Sequence, residues 1–213
     1  LTMAEKEHVS VGYFIFATLM LIVLCMLLMP GKTVDSLSAV EARRIEANYG
    51  RTTLERVNAF TADMYYALMP AQTASKLRES FKPTDAEREE LSKYDLADKA
   101  MSWWEGRVDV LLDLMWWTLR RVVFLLLFTP FWGVFAVASL IHGYWSREIK
   151  KTGFEYASPV INHLSRQAGG FAFLSAIVLV FLPFPLEPLI LFSLLVFSLG
   201  CLGLAVANIQ KQI

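Results

Sequence analysis

The sequence predicts an all-α, polytopic membrane protein with about four transmembrane helices and a helical segment outside the membrane. Hydrophobic residues make up 55% of the 213 positions, and charged residues make up 19%, below the quarter or so that is usual for a soluble domain. The mean hydropathy is +0.45. The hydrophobic residues are concentrated in a few long runs, which is typical of membrane-spanning helices. The 20 basic and 20 acidic residues cancel, so we expect no direct binding to nucleic acid.

The first apolar run, residues 11–29, follows a short tail at 1–10 and contains no charged residue. A helix of about 20 apolar residues crosses the hydrocarbon core of a bilayer. The run ends at Pro30, which is followed by glycine and lysine. A cleaved signal peptide is the alternative, but its apolar core is typically only about 7–15 residues long. We therefore expect a retained membrane anchor.

The long segment 30–121 has the composition of a soluble, helical region, with 14 basic and 15 acidic residues. We expect one helix over 34–49, ending at Gly50, because glycine commonly stops a helix. The pattern Thr52-Thr53-Leu54-Glu55 is typical of a capping box, in which hydroxyl and carboxylate satisfy free amides of the first turn. It predicts a second helix, which stops at Pro70.

The remainder of this segment is predicted to be a looser stretch over 71–83 and then a long helix that continues into the second span. The sequence Thr84-Asp85-Ala86-Glu87 is a second capping-box pattern that opens this helix. The helix is amphipathic, and we expect its tryptophans to lie at the membrane interface, where the ring is buried and the N–H stays hydrated. These residues are Trp103, Trp104, Trp116 and Trp117.

Asp109 and Asp113 lie between the two tryptophan pairs and share one helix face, because they are four positions apart. The simplest interpretation is the polar face of a helix at the membrane surface. A carboxylate pair that faces Arg120 or a partner subunit is the alternative. A proton relay or ion site is a third, since ionisable groups inside membranes are often functional.

Three further apolar runs complete the predicted spans. The second span is 122–141, and a kink is expected near Pro130 because proline removes a backbone donor. The third and fourth runs form a helical hairpin over 169–207, interrupted by a loop at 183–188 that contains three prolines. A single re-entrant hairpin that enters only one leaflet is the alternative for these last two runs.

The orientation follows from the basic residues of the short connections, which favour the cytoplasm. The connection 142–168 and the tails 1–10 and 208–213 together contain six lysines and arginines, whereas 183–188 contains none. We therefore predict that both termini and 142–168 are cytoplasmic and that 30–121 is periplasmic. The arginine pair directly before the second span runs against this rule.

No motif for nucleotide binding, metallohydrolase activity or a nucleophilic serine is present in the sequence. Cys25 and Cys201 lie in apolar runs, and His142 and His163 have no nearby thiol, so we predict no bound metal, no cofactor and no enzymatic activity. In the last span, Gly200 and Gly203 are candidates for close helix packing, because glycine lets two backbones approach.

The cytoplasmic connection carries the most informative charges. They anchor the connection to anionic lipid headgroups, or they form a mixed-charge, aromatic patch that docks a partner. The candidate partner-binding residues are Arg147, Glu148, Lys150, Lys151, Phe154, Glu155 and Tyr156.

The same region resembles membrane proteins of unknown function that are encoded by integrating conjugative elements and some large conjugative plasmids. The similar positions are Gly143, the charged cluster 147–151, Gly153, the stretch 154–156 and His163, together with the helical pattern at 55–61. This resemblance implies an inner-membrane component of a type IV secretion apparatus that is associated with the coupling-protein ATPase, which delivers DNA.

The most consistent hypothesis is a non-enzymatic accessory or scaffold subunit for conjugative DNA transfer. Its expected partners are the lipid bilayer, the coupling ATPase and other membrane subunits of the secretion system, and a homo-oligomer is compatible with the sequence. A small transporter or channel subunit is the first alternative, but it would need polar residues aligned inside several spans. A membrane enzyme is the second, and it would need acidic, histidine or cysteine side chains that converge at one membrane face.

The predicted orientation can be tested by labelling single cysteines in a variant that lacks Cys25 and Cys201. We expect Ser75→Cys to react with a membrane-impermeant thiol reagent from the periplasm, whereas Ser158→Cys should be protected until the membrane is opened. The reverse pattern of labelling would invert the topology.

Overall fold

The computed structural model describes residues 28–81, 95–153 and 157–209, and seven single residues between 13 and 24. Most of the first predicted span and the second predicted capping box lie outside the described residues. Within them every regular element is a helix, which confirms the all-α class. The helices are α1 (Gly31–Tyr49), α2 (Arg51–Leu68), α3 (Ala71–Ser80), α4 (Asp95–Leu127), α5 (Thr129–Thr152), α6 (Pro159–Phe181) and α7 (Pro188–Ala207).

The chain divides into two compact units. The first contains Leu1–Val123 and the short segment Phe181–Pro185, and the second contains Phe124–Val180 and Leu186–Ile213. The first unit therefore includes α1 to α3, most of α4 and part of the proline-rich loop. The second includes α5, α6 and α7.

The first two helices are separated at the predicted glycine. Gly50 has a φ of +83°, a left-handed conformation that favours glycine, and its N–H donates to Glu46 O at 2.9 Å. The predicted capping box that follows is wrong, since no side chain caps α2. The Thr53 hydroxyl instead donates to Tyr49 O at 2.8 Å, and Glu55 accepts from Arg51 Nε at 2.9 Å.

The predicted looser stretch at 71–83 is also wrong, because most of it forms α3. Pro70 ends α2 and also opens α3, since its carbonyl accepts from the amides of Thr73 and Ala74 at 2.8 and 3.0 Å. The helix is only ten residues long, and a helix this short is marginal without tertiary packing. That packing comes from Ala74 and its apolar neighbours, which contact α4.

The central helix of the first unit is α4, and two apolar clusters lie along it. One joins α4 to α1, and the other joins α4 to α3. The first cluster consists of Val34, Val110, Leu114 and Trp117, with Met29 and Leu37 packed against it. The second consists of Ala74, Val108 and Leu112, with Met69, Leu77, Phe81 and Met115.

The expected kink near Pro130 is confirmed as a break between α4 and α5. α4 ends at Leu127 and α5 begins at Thr129, so Pro130 lies in the first turn of α5, where its missing N–H costs no helical hydrogen bond. The indole of Trp132 donates to Leu125 O at 3.1 Å. This bond gives an acceptor role to one of the last carbonyls of α4. Such a carbonyl has no intrahelical N–H partner, because the helix ends there.

In the second unit, α7 packs closely against both α5 and α6. A Cβ on Gly203 would lie 2.3 Å from Ser139 Oγ of α5, and a Cβ on Gly169 of α6 would lie 2.9 Å from the Cβ of Cys201. Two serine hydroxyls form hydrogen bonds between these helices. Ser139 Oγ of α5 donates to Leu199 O of α7 at 2.6 Å, and Ser198 Oγ of α7 donates to Gly169 O of α6 at 2.9 Å. Small residues and hydroxyl bonds of this kind are typical of helix pairs inside membranes.

Two of the described helices, α6 and α7, are long and apolar enough to cross a membrane. The helices on either side of Phe128 meet the same criterion only together, as one interrupted span. The described residues therefore contain two or three candidate spans, and the predicted count of four is approximate.

The two glycines of α7 should respond differently to a methyl group. Gly203→Ala places a Cβ 2.3 Å from Ser139 Oγ, and overpacking of this kind costs about 1–3 kcal/mol. Gly200→Ala is the matched control, because nothing lies within 4 Å of its Cβ position. We expect Gly203→Ala to lower the Tm in mild detergent and Gly200→Ala to preserve or raise it. Equal Tm values for the two variants would contradict this packing.

A buried arginine cluster and the candidate partner-binding surface

Three arginines and one glutamate form a polar cluster inside the first unit. Glu41 lies on the face of α1 that also carries Val34 and Ile45, and Arg121 lies near the end of α4. They are 2% and 4% exposed. We refer to Glu41, Arg44, Arg120 and Arg121 as the arginine cluster. Buried charges are costly unless they are paired and hydrogen-bonded, so the arrangement of their partners decides whether the fold tolerates them.

Arg121 and Glu41 meet in a two-pronged ion pair. Arg121 Nε lies 2.9 Å from Oε1 and 3.2 Å from Oε2 of Glu41, and Arg121 Nη2 lies 2.6 Å from Oε2. This geometry is the strong, bidentate form of an arginine–carboxylate bond. The guanidinium carbon also lies 4.8 Å from the centroid of the Trp117 ring, a distance at which a cation is attracted to an aromatic face.

The same guanidinium holds the proline-rich loop that connects α6 and α7. Arg121 Nη1 donates to Leu182 O at 2.6 Å, and Arg121 Nη2 also donates to Phe184 O. Arg44 Nη1 donates to Pro185 O at 2.9 Å. A loop rich in proline offers carbonyl acceptors but few N–H donors, so arginine donors from α1 and α4 satisfy it.

Sequence reasoning missed this cluster, although it left a signal. The arginine pair near the end of α4 runs against the positive-inside rule, and the proline-rich loop contains no lysine or arginine of its own. Both arginines are buried and bind groups of the protein itself, whereas the rule concerns basic residues in the aqueous connections. The membrane side on which this pair lies stays a prediction.

Arg120 has a different set of hydrogen-bond partners. Its Nη2 donates to Ser38 O at 2.7 Å and lies 3.2 Å from Ser38 Oγ. Asp109 pairs instead with Arg78 of α3 at 2.8 Å, and both of those side chains are exposed. In the part of the chain that the structure describes, neither Asp109 nor Asp113 forms an ion pair with Arg120.

The four tryptophans of α4 occupy different environments. Trp117 is buried in the first apolar cluster, and Trp116 packs edge-on against Tyr65, with 5.4 Å between ring centroids. Desolvation raises the pKa of Tyr65 above its ordinary value, and the Arg78 guanidinium opposes this shift. Trp103 and Trp104 are exposed. A position at the membrane interface stays a prediction for all four.

The candidate partner-binding residues lie mostly on the last turns of α5, because the helix continues through the charged cluster to Thr152. Glu148 pairs with Lys151, and Lys150 Nζ donates to Asn208 Oδ1 at 2.8 Å. Arg147 differs from both lysines: its Nε is buried and has no acceptor among the described residues. The remaining three predicted residues, Phe154, Glu155 and Tyr156, lie outside the described residues.

Exposed aromatic and aliphatic side chains accompany these charges on α5. Trp145 is 61% exposed, and Tyr144 and Ile149 are exposed to a similar degree. The Tyr144 and Trp145 rings pack edge-on, 6.2 Å apart. We call Tyr144, Trp145, Arg147 and Ile149 the α5 surface.

The profile of one protein family, described as IncC plasmid conjugative DNA transfer protein DtrJ-like, matches residues 34–212. The chain belongs to the DtrJ-like family. The match extends from α1 to the end of α7, so it includes both the arginine cluster and the α5 surface. This finding confirms the predicted resemblance to a conjugative transfer family. No curated protein and no solved structure matches the chain significantly.

The other sequence candidates in this DtrJ-like chain are dispersed. Across the described ranges, no three histidine, cysteine, aspartate or glutamate side chains gather in a way that could hold a metal ion. Cys201 is buried and unpaired against the glycine of α6. Of the two predicted packing glycines, Gly203 contacts α5, whereas Gly200 has open space around its Cβ position.

The ion pair inside the arginine cluster should be essential for stability. Removing one partner of a buried pair leaves an uncompensated charge and costs about 3–5 kcal/mol. We therefore expect Glu41→Gln and Arg121→Gln each to lower the Tm strongly in mild detergent. The double variant Glu41→Gln/Arg121→Gln should lose less than the sum of the two, because the residues are in direct contact.

Arg51→Gln is the matched control for these variants. It removes an arginine–glutamate pair with Glu55 at the same 2.9 Å N–O distance, but both side chains are exposed, and exposed pairs contribute little. The role given to the cluster would be wrong if Arg121→Gln and Arg51→Gln changed the Tm equally.

Proposed function

We propose that this chain is a non-enzymatic accessory subunit of a conjugative type IV secretion apparatus, embedded in the bacterial inner membrane and associated with the coupling ATPase. Membership of the DtrJ-like family supports a role in conjugative DNA transfer. The two apolar helices α6 and α7 support membrane association. The association with the ATPase and the scaffold role are the finer parts of the proposal.

The observation that carries the proposal is the state of Arg147 on the α5 surface. Lys150 and Lys151 already bind Asn208 and Glu148, whereas the buried Nε of Arg147 has no acceptor in the described parts of the chain. A half-buried guanidinium without an acceptor is suited to receive a carboxylate from another protein. Trp, Tyr and Arg are also the residues that most often dominate binding energy at protein interfaces.

The position and charge of the α5 surface also favour a protein partner. Two proteins confined to the same membrane meet at high effective concentration, so a small docking surface can be sufficient. The segment 147–151 carries both signs of charge, with Glu148 next to Arg147. DNA would favour a uniformly basic surface, because its affinity arises largely from the neutralisation of phosphates.

Lipid anchoring is the competing role for Arg147, and conservative substitution distinguishes the two. A headgroup accepts any cation, so under anchoring Arg147→Lys should transfer DNA normally. Under docking, both Arg147→Lys and Arg147→Ala should reduce transfer, because an ammonium does not replace a planar guanidinium that pairs with a carboxylate. A lost charged hydrogen bond of about 1.5–3 kcal/mol corresponds to a reduction of roughly tenfold or more in complex formation.

The measurement is conjugation frequency from donor cells that carry the complete conjugative element. In these donors the native gene for this chain is replaced by the gene for each variant. Membrane abundance is checked by blot, and Arg56→Lys is the matched control, since Arg56 is exposed on α2. Normal transfer with both Arg147 variants at normal abundance would contradict docking and leave the headgroup role.

A further inference from the structure

The second unit contains a cavity of about 610 Å³ between the beginning of α6 and the end of α7. Its apolar wall is formed largely by α7, including Leu202 and Val206. Its polar wall includes Asn162 and Arg166 of α6 and Asn208 at the end of α7. None of these residues belongs to the α5 surface, so the cavity is a separate feature.

The polar wall is cationic and preorganised. Asn162 Nδ2 donates to Ala205 O at 2.7 Å, and Asn208 Nδ2 donates to Leu204 O at 2.9 Å, so both amides are fixed in orientation. Asn208 Oδ1 accepts from the Lys150 ammonium at 2.8 Å, which places a second cation next to a residue of the polar wall, although Lys150 itself does not line the cavity. Arg166 is exposed.

No acidic residue is among the described residues that line the cavity. The Arg166 guanidinium also has no hydrogen-bond or ion-pair partner in the portion of the chain that the structure describes. The cavity therefore combines an available cation with an apolar wall, a combination that fits an amphiphilic anion better than a small inorganic one.

The cavity lies at the level of a membrane surface if α6 and α7 cross the membrane. Both helices are long and apolar enough to span a membrane. The cavity lies at the N-terminal end of α6 and the C-terminal end of α7. In α6 the uninterrupted apolar stretch begins at Gly169, just after Arg166. Arg166 consequently stands at the boundary between the apolar core and the headgroup layer, where arginine meets lipid phosphates.

We infer that this cavity binds one anionic glycerophospholipid. The lipid phosphate accepts hydrogen bonds from the Arg166 guanidinium, and the Lys150 ammonium adds a second positive charge. The glycerol and the first acyl methylenes lie against Leu202 and Val206. This inference rests on the proposed membrane placement of the chain, but it does not require the proposed association with the ATPase.

Native mass spectrometry of the full chain provides the test. The protein is purified in mild detergent and mixed with dioleoylphosphatidylglycerol or with dioleoylphosphatidylcholine. We expect a stoichiometric adduct with phosphatidylglycerol and a much weaker one with phosphatidylcholine. Arg166→Gln should reduce the phosphatidylglycerol adduct about fivefold or more, since a charge-assisted bond to phosphate is lost. Arg166→Lys should retain most of it, because lysine also binds phosphate as a point charge.

Lys151→Gln is the matched control, because it removes one positive charge from the end of α5 without lining the cavity. The Tm of each variant shows whether it is folded. Equal adducts with the two lipids, or equal losses in Arg166→Gln and Lys151→Gln, would overturn the inference. Displacement of phosphatidylglycerol by inorganic phosphate at millimolar concentration would also overturn it, since the site would then take a free anion rather than a lipid.

This test is independent of the transfer assay. Loss of lipid binding in Arg166→Gln with normal binding in Arg147→Ala would support the cavity whatever the transfer frequency of Arg147→Ala. Failure of the ATPase proposal would appear as normal transfer in the Arg147 variants, which leaves the lipid result unchanged.

Discussion

The ion pair between Glu41 and Arg121 is the interaction on which the first unit depends. Two charged side chains that are at most 4% exposed would strongly destabilise a protein if either lacked a partner. Here the carboxylate receives both prongs of the guanidinium, and the remaining donors of Arg121 bind carbonyls of the proline-rich loop. One guanidinium thereby joins α1, α4 and a loop that is about 60 residues further along the chain (61 for Leu182). A packing of α1 against α4 that separated Glu41 from Arg121 would leave a buried charge without a partner, which is strongly destabilising.

Much of the helical framework could be predicted from local chemistry. Gly50 and Pro70 separate the helices where expected, because a positive φ and a missing N–H act at a single position. The helix α3 could not be predicted, since its sequence is polar and it is stabilised by contacts of Ala74 with α4. The prediction of a capping box at Thr52 is wrong for a related reason. The Thr53 hydroxyl donates to the Tyr49 carbonyl of the preceding helix, and α2 begins one residue before the expected motif.

The arginine cluster and the cavity depend on contacts between residues that are distant in sequence, so no local pattern predicts them. Glu41 and Arg121 are 80 residues apart in the sequence, and Lys150 binds Asn208, which lies 58 residues further along the chain. The charged cluster on α5 was found from sequence because its residues are consecutive. The structure then separates them: both lysines already have partners, and Arg147 differs from them. The two predicted glycines separate in the same way, since only Gly203 lies at a close helix contact. These differences make Arg147 the residue on which the account of the DtrJ-like chain as a docking subunit depends.

Site-specific photocrosslinking in donor cells tests that account most directly. A photoreactive phenylalanine analogue replaces Tyr144, which is exposed one turn before Arg147 on α5, and replaces Phe197 on α7 as a control of similar exposure. The proposed docking predicts a covalent product that contains the coupling ATPase, identified by mass spectrometry, from position 144 and none from position 197. An absence of the ATPase from the products at position 144, in cells that still transfer DNA, would contradict the account.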